Sequence, residues 1–234
     1  MKVEIWSDIV CPFCYIGKRR FEAALQQFAH AEEVEVVWHS FELDSNTQTA
    51  PGEQLYGRLA AKYGRSEAWA RQMCADMTQT AAEVGLNFNF DIAVPANTFR
   101  AHRLVHLAAQ HGKQDAAKER LFKAYLEEGL NIDDVATLQT LAAELGLGAE
   151  EVSHTLASDA FAQEVRHDEY QAQQIGVRGV PFFVFNDKYA VSGAQPSELF
   201  QEVLEKVYEE FKPAQPKAVV PLAEGPACGL DGTC

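Results

Sequence analysis

Nowhere does the sequence run eighteen apolar residues together, so no stretch of it matches a membrane-spanning helix. Met1-Lys2-Val3-Glu4-Ile5 passes straight into a strand pattern, without the basic start, apolar middle and small-residue cleavage site of a secretory leader. A soluble, cytoplasmic protein is the expectation. Basic residues are scarce: 20 Lys and Arg stand against 34 Asp and Glu, a formal charge of −14. No basic stripe interrupts that balance, and a surface of this sign repels phosphate backbones and anionic lipid, which removes nucleic acid and membrane surfaces from the expected partners. A glycine-rich phosphate loop is missing, so nucleotide binding has no support, and no repeat of fixed period is visible. His102 and His106 stand four apart on one helix, yet the glutamate of a zinc protease is not between them, and structural roles are favoured.

Cysteine is sparse too. The five comprise two close pairs, Cys11/Cys14 and Cys228/Cys234, with Cys74 alone. In a chain without a secretory leader, close pairs more often serve catalysis or redox sensing than structure. Cys74, in Trp69-Ala70-Arg71-Gln72-Met73-Cys74, reads as a small packed hydrophobe. No second Cys/His pair at knuckle spacing follows Cys11/Cys14 closely, which weighs against zinc, and no metal is assigned.

What is present centres on Ser7-Asp8-Ile9-Val10-Cys11-Pro12-Phe13-Cys14-Tyr15-Ile16-Gly17. Two cysteines separated by two residues lie directly after an apolar strand pattern and directly before a helical one. With Pro12 in the first helical position, where a missing N–H costs nothing, Cys11 becomes the N-cap residue and its sulfur faces the unpaired amides of the first turn. The positive end of the helix favours thiolate over thiol, so Cys11 is the expected nucleophile. Cys14, about one turn further on, is close enough for a disulfide and more buried, hence the resolving cysteine. Half of a zinc knuckle, an inert pair of thiols and a plain structural disulfide are the competing readings.

Lys2 to Ser7 reads as a central strand. A helix is expected from Pro12 to near Ala31 on the recurrence of Ile16, Phe21, Ala24, Leu25 and Phe28, and a second strand at 35–41. From Asn46 to about Ala160 nearly everything reads as helix, at about 52–63, 66–84, 97–111, 113–128, 133–145 and 149–157. Gly85, Gly112, Gly129 and Gly146 fall past helix ends, and Asp133 is the expected cap of a new start. A helix at about 159–175 leads to Gly176, then two apolar runs joined by Asn186-Asp187 make a hairpin. A last helix is expected at about 196–211, before the proline-rich linker 213–217.

Strand, dithiol, helix, strand, then hairpin and helix is the thioredoxin order. Cys11-Pro12-Phe13-Cys14 with Gly176-Val177-Arg178-Gly179-Val180-Pro181-Phe182-Phe183 resembles the DsbA family of thiol-disulfide oxidoreductases. Phe41-Glu42-Leu43, Asn97-Thr98-Phe99-Arg100-Ala101-His102-Arg103-Leu104 and Ser192-Gly193-Ala194-Gln195 resemble its leaderless, FrnE-like branch. The resemblance implies an α/β, thioredoxin-like fold with a large inserted all-helical domain: 1–45 and 159–211 as the thioredoxin-like part, 46–158 as the insertion, 212–234 as linker and cysteine-bearing tail. It also implies disulfide exchange with protein or small-molecule thiols, with no cofactor beyond glutathione as a co-substrate. Val180-Pro181 is implied to be cis and packed on the dithiol, so that Pro12, Phe13, Val180 and Pro181 contact substrate. Thioredoxin-like enzymes often carry a buried acid six residues before the nucleophile. Ile5 takes that place here, and the nearest acid, Asp8, stands where a solvated turn residue would also fit.

Two other function classes stay open. Kappa-class transferases and 2-hydroxychromene-2-carboxylate isomerases are similar in fold but generally place serine where Cys11 stands, and their chemistry has no use for Cys14. A holdase or binding module would need no reactive thiol. In the tail, Cys228-Gly229-Leu230-Asp231-Gly232-Thr233-Cys234 encloses a flexible loop able to close a disulfide, with a zinc site, for which only two ligands are present, and an incidental chain end as the competing readings. The linker reaches far enough for this pair to exchange electrons with Cys11/Cys14.

Overall fold

The computed structural model describes residues 1–211. The linker and tail at 212–234, with Cys228 and Cys234, lie outside the described residues. Strand β1 (Lys2–Ser7) runs into the dithiol loop and helix α1 (Pro12–Gln27) runs out of it. α1 stops short of the end expected near Ala31 because Phe28 turns extended (φ −81°, ψ 124°) and buries its ring in the sheet core. β2 (Glu35–Ser40) then pairs parallel to β1, with Trp38 opposite Ile5.

Seven helices follow among the described residues: α2 (Leu55–Tyr63), α3 (Glu67–Ala82), α4 (Phe99–Gln110), α5 (Gln114–Leu126), α6 (Val135–Glu144), α7 (Ala149–Ala157) and α8 (Ala162–Gln174). The start of α6 differs from the expectation by one residue. Asp134 is its cap, accepting from the Thr137 amide, while Asp133 bonds Thr49 and Arg100. β3 (Phe182–Phe185) and β4 (Tyr189–Ser192) form the hairpin, and Asn186 and Asp187 both take positive φ (45° and 54°), as a type I′ turn requires. β3 pairs antiparallel with β1, giving the strand order β2-β1-β3-β4, and α9 (Ser197–Phe211) closes the fold.

Alternation along the strands sorts the core into layers. Val3, Ile5, Phe183 and Phe185 face α9 and the later turns of α1, where Phe21 and Ala24 are buried. Trp6, Phe182 and Val184 face the other way, onto Ala172 of α8. A third cluster fills the helical region, and Ile9, Cys11, Cys14, Tyr15 and Ile16 belong to it. α1 is therefore shared: its first turn packs with the inserted helices and its later turns pack on the sheet. No helix among the described residues is long and apolar enough to cross a membrane.

Candidate active site

β1 ends at Ser7, and the loop closes when the Cys11 amide donates to the Asp8 carbonyl at 3.1 Å. Cys11 is extended (φ −87°, ψ 111°) and occupies the N-cap position of α1, but its sulfur makes no capping hydrogen bond to the first-turn amides it was expected to face; Pro12 takes the first helical turn, and the Cys14 amide donates back to the Cys11 carbonyl at 3.0 Å. Both thiols are free. Cys11 retains 5% exposure and Cys14 none. Burial, joined by the hydrogen bond and charge of Cys11, pushes the Cys14 thiol far up, so it holds its proton. Phe13 stands 45% exposed beside the pair, with Pro12 half-buried.

The loop before β3 faces this helix start. The Cys11 Sγ–H donates to the Val180 carbonyl at 3.6 Å, and the Val180–Pro181 peptide is cis. Pro181 is buried against α1 at Gly17, where a Cβ would lie 2.9 Å from the proline Cγ. Only a residue without a side chain lets the two come this close. The Pro181 carbonyl accepts from Gly193 at 2.8 Å, and Arg20 donates to the Ala194 carbonyl at 2.6 Å, so the hairpin exit is tied to both. Cys11, Pro12, Phe13, Cys14, Val180 and Pro181 are thus brought together. Cys228 and Cys234 fall outside the described residues.

Behind the cysteines lies a buried polar layer. Asp8 is 1% exposed, which corrects its reading as a solvated turn residue. Its carboxylate accepts from the Leu43 amide at 2.8 Å and lies 3.3 Å from His102 Nε2. The segments around Phe41-Glu42-Leu43 and Asn97 to Leu104 therefore converge on the dithiol loop. Asn97 secures the second of them by accepting from the Phe99 amide and donating to the Thr47 carbonyl. Burial drives the His102 imidazole below its ordinary value despite the Asp8 contact, so the ring is neutral at pH 7, and its Nδ1 has no partner. His106 lies elsewhere, 3.0 Å from the Ser40 hydroxyl and 3.1 Å from Asp168. Cys74 is buried on α3, and burial with the nearby Asp91 charge raises its thiol to about 11.

Comparison with known proteins settles the family. The model for the DsbA-like thioredoxin domain matches residues 2–205. The chain belongs to the DsbA family. A crystal structure of the probable DsbA oxidoreductase SCO1869 from Streptomyces coelicolor matches with a TM-score of 0.86 and 41% identity, covering 100% of this chain and 98% of that one. The uncharacterized protein YwbO of Bacillus subtilis is 27% identical over 86% of this chain and 94% of its own. The cytosolic disulfide reductase DsbM of Pseudomonas aeruginosa shares the fold at 18% identity (TM-score 0.65, 90% and 100% coverage), and another structure of it holds GSH.

Two features of this DsbA-family chain escaped sequence reasoning. Gly17, unremarked in a helical pattern, makes room for Pro181. Lys118 is 1% exposed on the stripe that α5 buries with Leu121, Phe122 and Tyr125. A lysine three, four and seven residues from apolar core positions was the signal.

Proposed function

We propose that this chain is a thiol-disulfide oxidoreductase in which Cys11 is the nucleophile and Cys14 the resolving thiol. The observation that carries the reading is the asymmetry of the pair. Cys11 sits at a helix N-terminus with its sulfur toward the Val180 carbonyl, whereas Cys14 is sealed behind it as a thiol. Thiolate Cys11 attacks a substrate disulfide, whose S–S bond breaks as a mixed disulfide forms and one substrate sulfur leaves as thiolate. Cys14 then attacks Cys11, expels the substrate thiolate and leaves the enzyme oxidised, and the reverse sequence oxidises a dithiol substrate. The Val180 backbone offers an extended substrate a pairing edge, and Pro12, Phe13 and Pro181 shape the surface around the reacting sulfur.

Protein thiols fit the surroundings. A groove of about 360 Å³ beside Phe13 is lined by Trp69, Met73 and Met77 together with the polar Gln72, Asp76 and Thr80, and its two flexible methionines can accommodate varied side chains. Glutathione as co-substrate, a cytoplasmic setting and a second redox pair at Cys228/Cys234 remain part of the proposal on sequence grounds. A glutathione-dependent transferase or 2-hydroxychromene-2-carboxylate isomerase reading leaves the Cys14 thiol without a task, and a holdase reading leaves both without one. Trapping separates them. Incubated with a disulfide-bonded protein, Cys14→Ser should accumulate a mixed disulfide at Cys11 because nothing resolves it, and Cys11→Ser should form none. Absence of any adduct in Cys14→Ser would overturn the assignment.

A further inference from the structure

Val180 offers the edge on which an extended substrate would pair, yet it lies just outside the sheet. The ladders of β3 with β1 and β4 end at Phe182, opposite Trp6 and Ser192. Beyond that point the backbone is placed by contacts with α1 and with the hairpin exit. Pro181 lies against α1 at Gly17, its carbonyl accepts from the Gly193 amide at 2.8 Å, and the Val180 carbonyl accepts from the Cys11 thiol at 3.6 Å. The thiol contact is lost during reaction, because Cys11 has no S–H once it is a thiolate or joined to substrate. What then holds the edge is Gly17 on one side and the hairpin exit on the other.

That exit, Ser192-Gly193-Ala194-Gln195, is a tight turn. Gly193 takes a positive φ of 80°, the Gln195 amide donates to the Gly193 carbonyl at 3.0 Å, and Gln195 Nε2 donates to the Ser192 carbonyl at 2.9 Å. These bonds shape the turn without attaching it to α1. Arg20 attaches it: Nη1 donates to the Ala194 carbonyl at 2.6 Å, a charge-assisted bond of the stronger kind. Gly17, three residues earlier on the same face of the helix, lets Ala194 approach, with the alanine Cβ 3.5 Å from where a Cβ on Gly17 would lie. The Arg20 side chain is 22% exposed, and its Nη2 lies 4.0 Å from Glu83 at the end of α3. One guanidinium thus stands where α1, the hairpin exit and the insertion meet.

We infer that Arg20 is a positioning residue for substrate docking: through Ala194 and Gly193 it holds Val180 and Pro181 where an extended polypeptide can pair with the Val180 backbone while its sulfur meets Cys11. This rests on the oxidoreductase reading above and narrows its substrates to disulfides carried on extended polypeptide. Arg20 acts on substrate through that backbone. Its loss therefore costs a disulfide that has a chain to pair more than one that has none. A plain fastening of hairpin to helix would change stability without distinguishing the two.

The test compares two disulfides with the same leaving group, 2-nitro-5-thiobenzoate, joined in one to the central cysteine of a peptide of about ten residues and in the other to 2-mercaptoethanol. Cys11 thiolate attacks the carrier sulfur, the S–S bond breaks and its electron pair leaves on the coloured thiolate; resolution by Cys14 then releases the carrier. The reduced full-length protein should react faster with the peptide. Arg20→Met should lower the ratio of the two attack rates about 3- to 10-fold, and Arg20→Lys, which restores a donor, should recover part of it. An unaltered ratio in Arg20→Met overturns the role, as does equal slowing with both disulfides, which marks a general effect on the thiol or the fold. If wild type attacks both but does not favour the peptide, the docking role fails while the oxidoreductase reading stands. If wild type releases no coloured thiolate from either, that reading itself fails. Should Arg20→Met not fold, Arg20→Gln is judged by the same ratio.

Discussion

Two buried carboxylates lie on adjacent elements and are treated differently. Asp168, on α8, is fully partnered: His39 Nδ1 lies at 2.7 Å, His106 at 3.1 Å, and the Ser40 amide donates at 2.7 Å. The shell is itself held, since His39 reaches Glu4 at 3.0 Å and Trp6 stacks on it at 4.4 Å. Burial opposes the Asp168 charge, but the hydrogen bonds from His106 and His39 win and keep the carboxyl well below its usual range. Asp8 also has partners, yet His102, which meets it, leaves its Nδ1 unmatched, and the buried Ser7 Oγ and Lys118 Nζ are unmatched as well. A satisfied network rigidifies, whereas an incomplete one is tolerated where the missing partner is part of the chemistry. The first fastens α8 to β2, and Asp8 of the second is tied by its carbonyl to the Cys11 amide.

Substitutions should separate the two clusters by sign. Asp168→Asn breaks a complete set of charged hydrogen bonds and should lower unfolding stability by about 3–5 kcal/mol in urea titration. Because the native carboxyl is held below its unfolded value of 3.8, the contribution is present above that pH and is lost on acidification, so the gap between wild type and variant should close in acid. Lys118→Met should do the opposite and stabilise. The fall from 10.5 to about 8 corresponds to about 3 kcal/mol. Below pH 8 folded and unfolded chains both keep the proton and the burial penalty is complete. Between 8 and 10.5 only the unfolded chain keeps it, so wild-type stability rises with pH and the variant's advantage should shrink.

Smaller effects sharpen the contrast. Gly17→Ala brings a methyl to 2.9 Å from Pro181 Cγ. Overpacking of about 1–3 kcal/mol is partly offset by about 1 kcal/mol of helix propensity, so a modest destabilisation should accompany slower thiol release at Cys11. Cys74→Ala, remote from both clusters, should cost about 1 kcal/mol and leave both release steps unchanged. A change of exchange rate in Cys74→Ala would show that the helical core as a whole sets reactivity.

Local signals made the frame legible in the sequence. Pro12 announces the start of α1, Asn186-Asp187 announces the hairpin, and the spacing of Phe21 and Ala24 marks the face of α1 that meets the sheet. The buried polar layer gave no such signal. Asp8 looks like a loop residue until Leu43 and His102, far along the chain, close over it. Lys118 occupies a core position on α5, and only the packing of β2 on that helix shows that its amine lies over the Trp38 ring. Local pattern shows which face of a helix is buried, but not what an ionisable group on that face will meet.

The central claim is that Cys11 and Cys14 form one exchangeable redox couple, and equilibration with mixtures of reduced and oxidised glutathione tests it most directly. After acid quenching and alkylation, the fraction of chains with both cysteines protected should follow a single two-electron transition, lost in Cys11→Ser and in Cys14→Ser. Thiols that remain alkylatable across the whole range of glutathione ratios would contradict it.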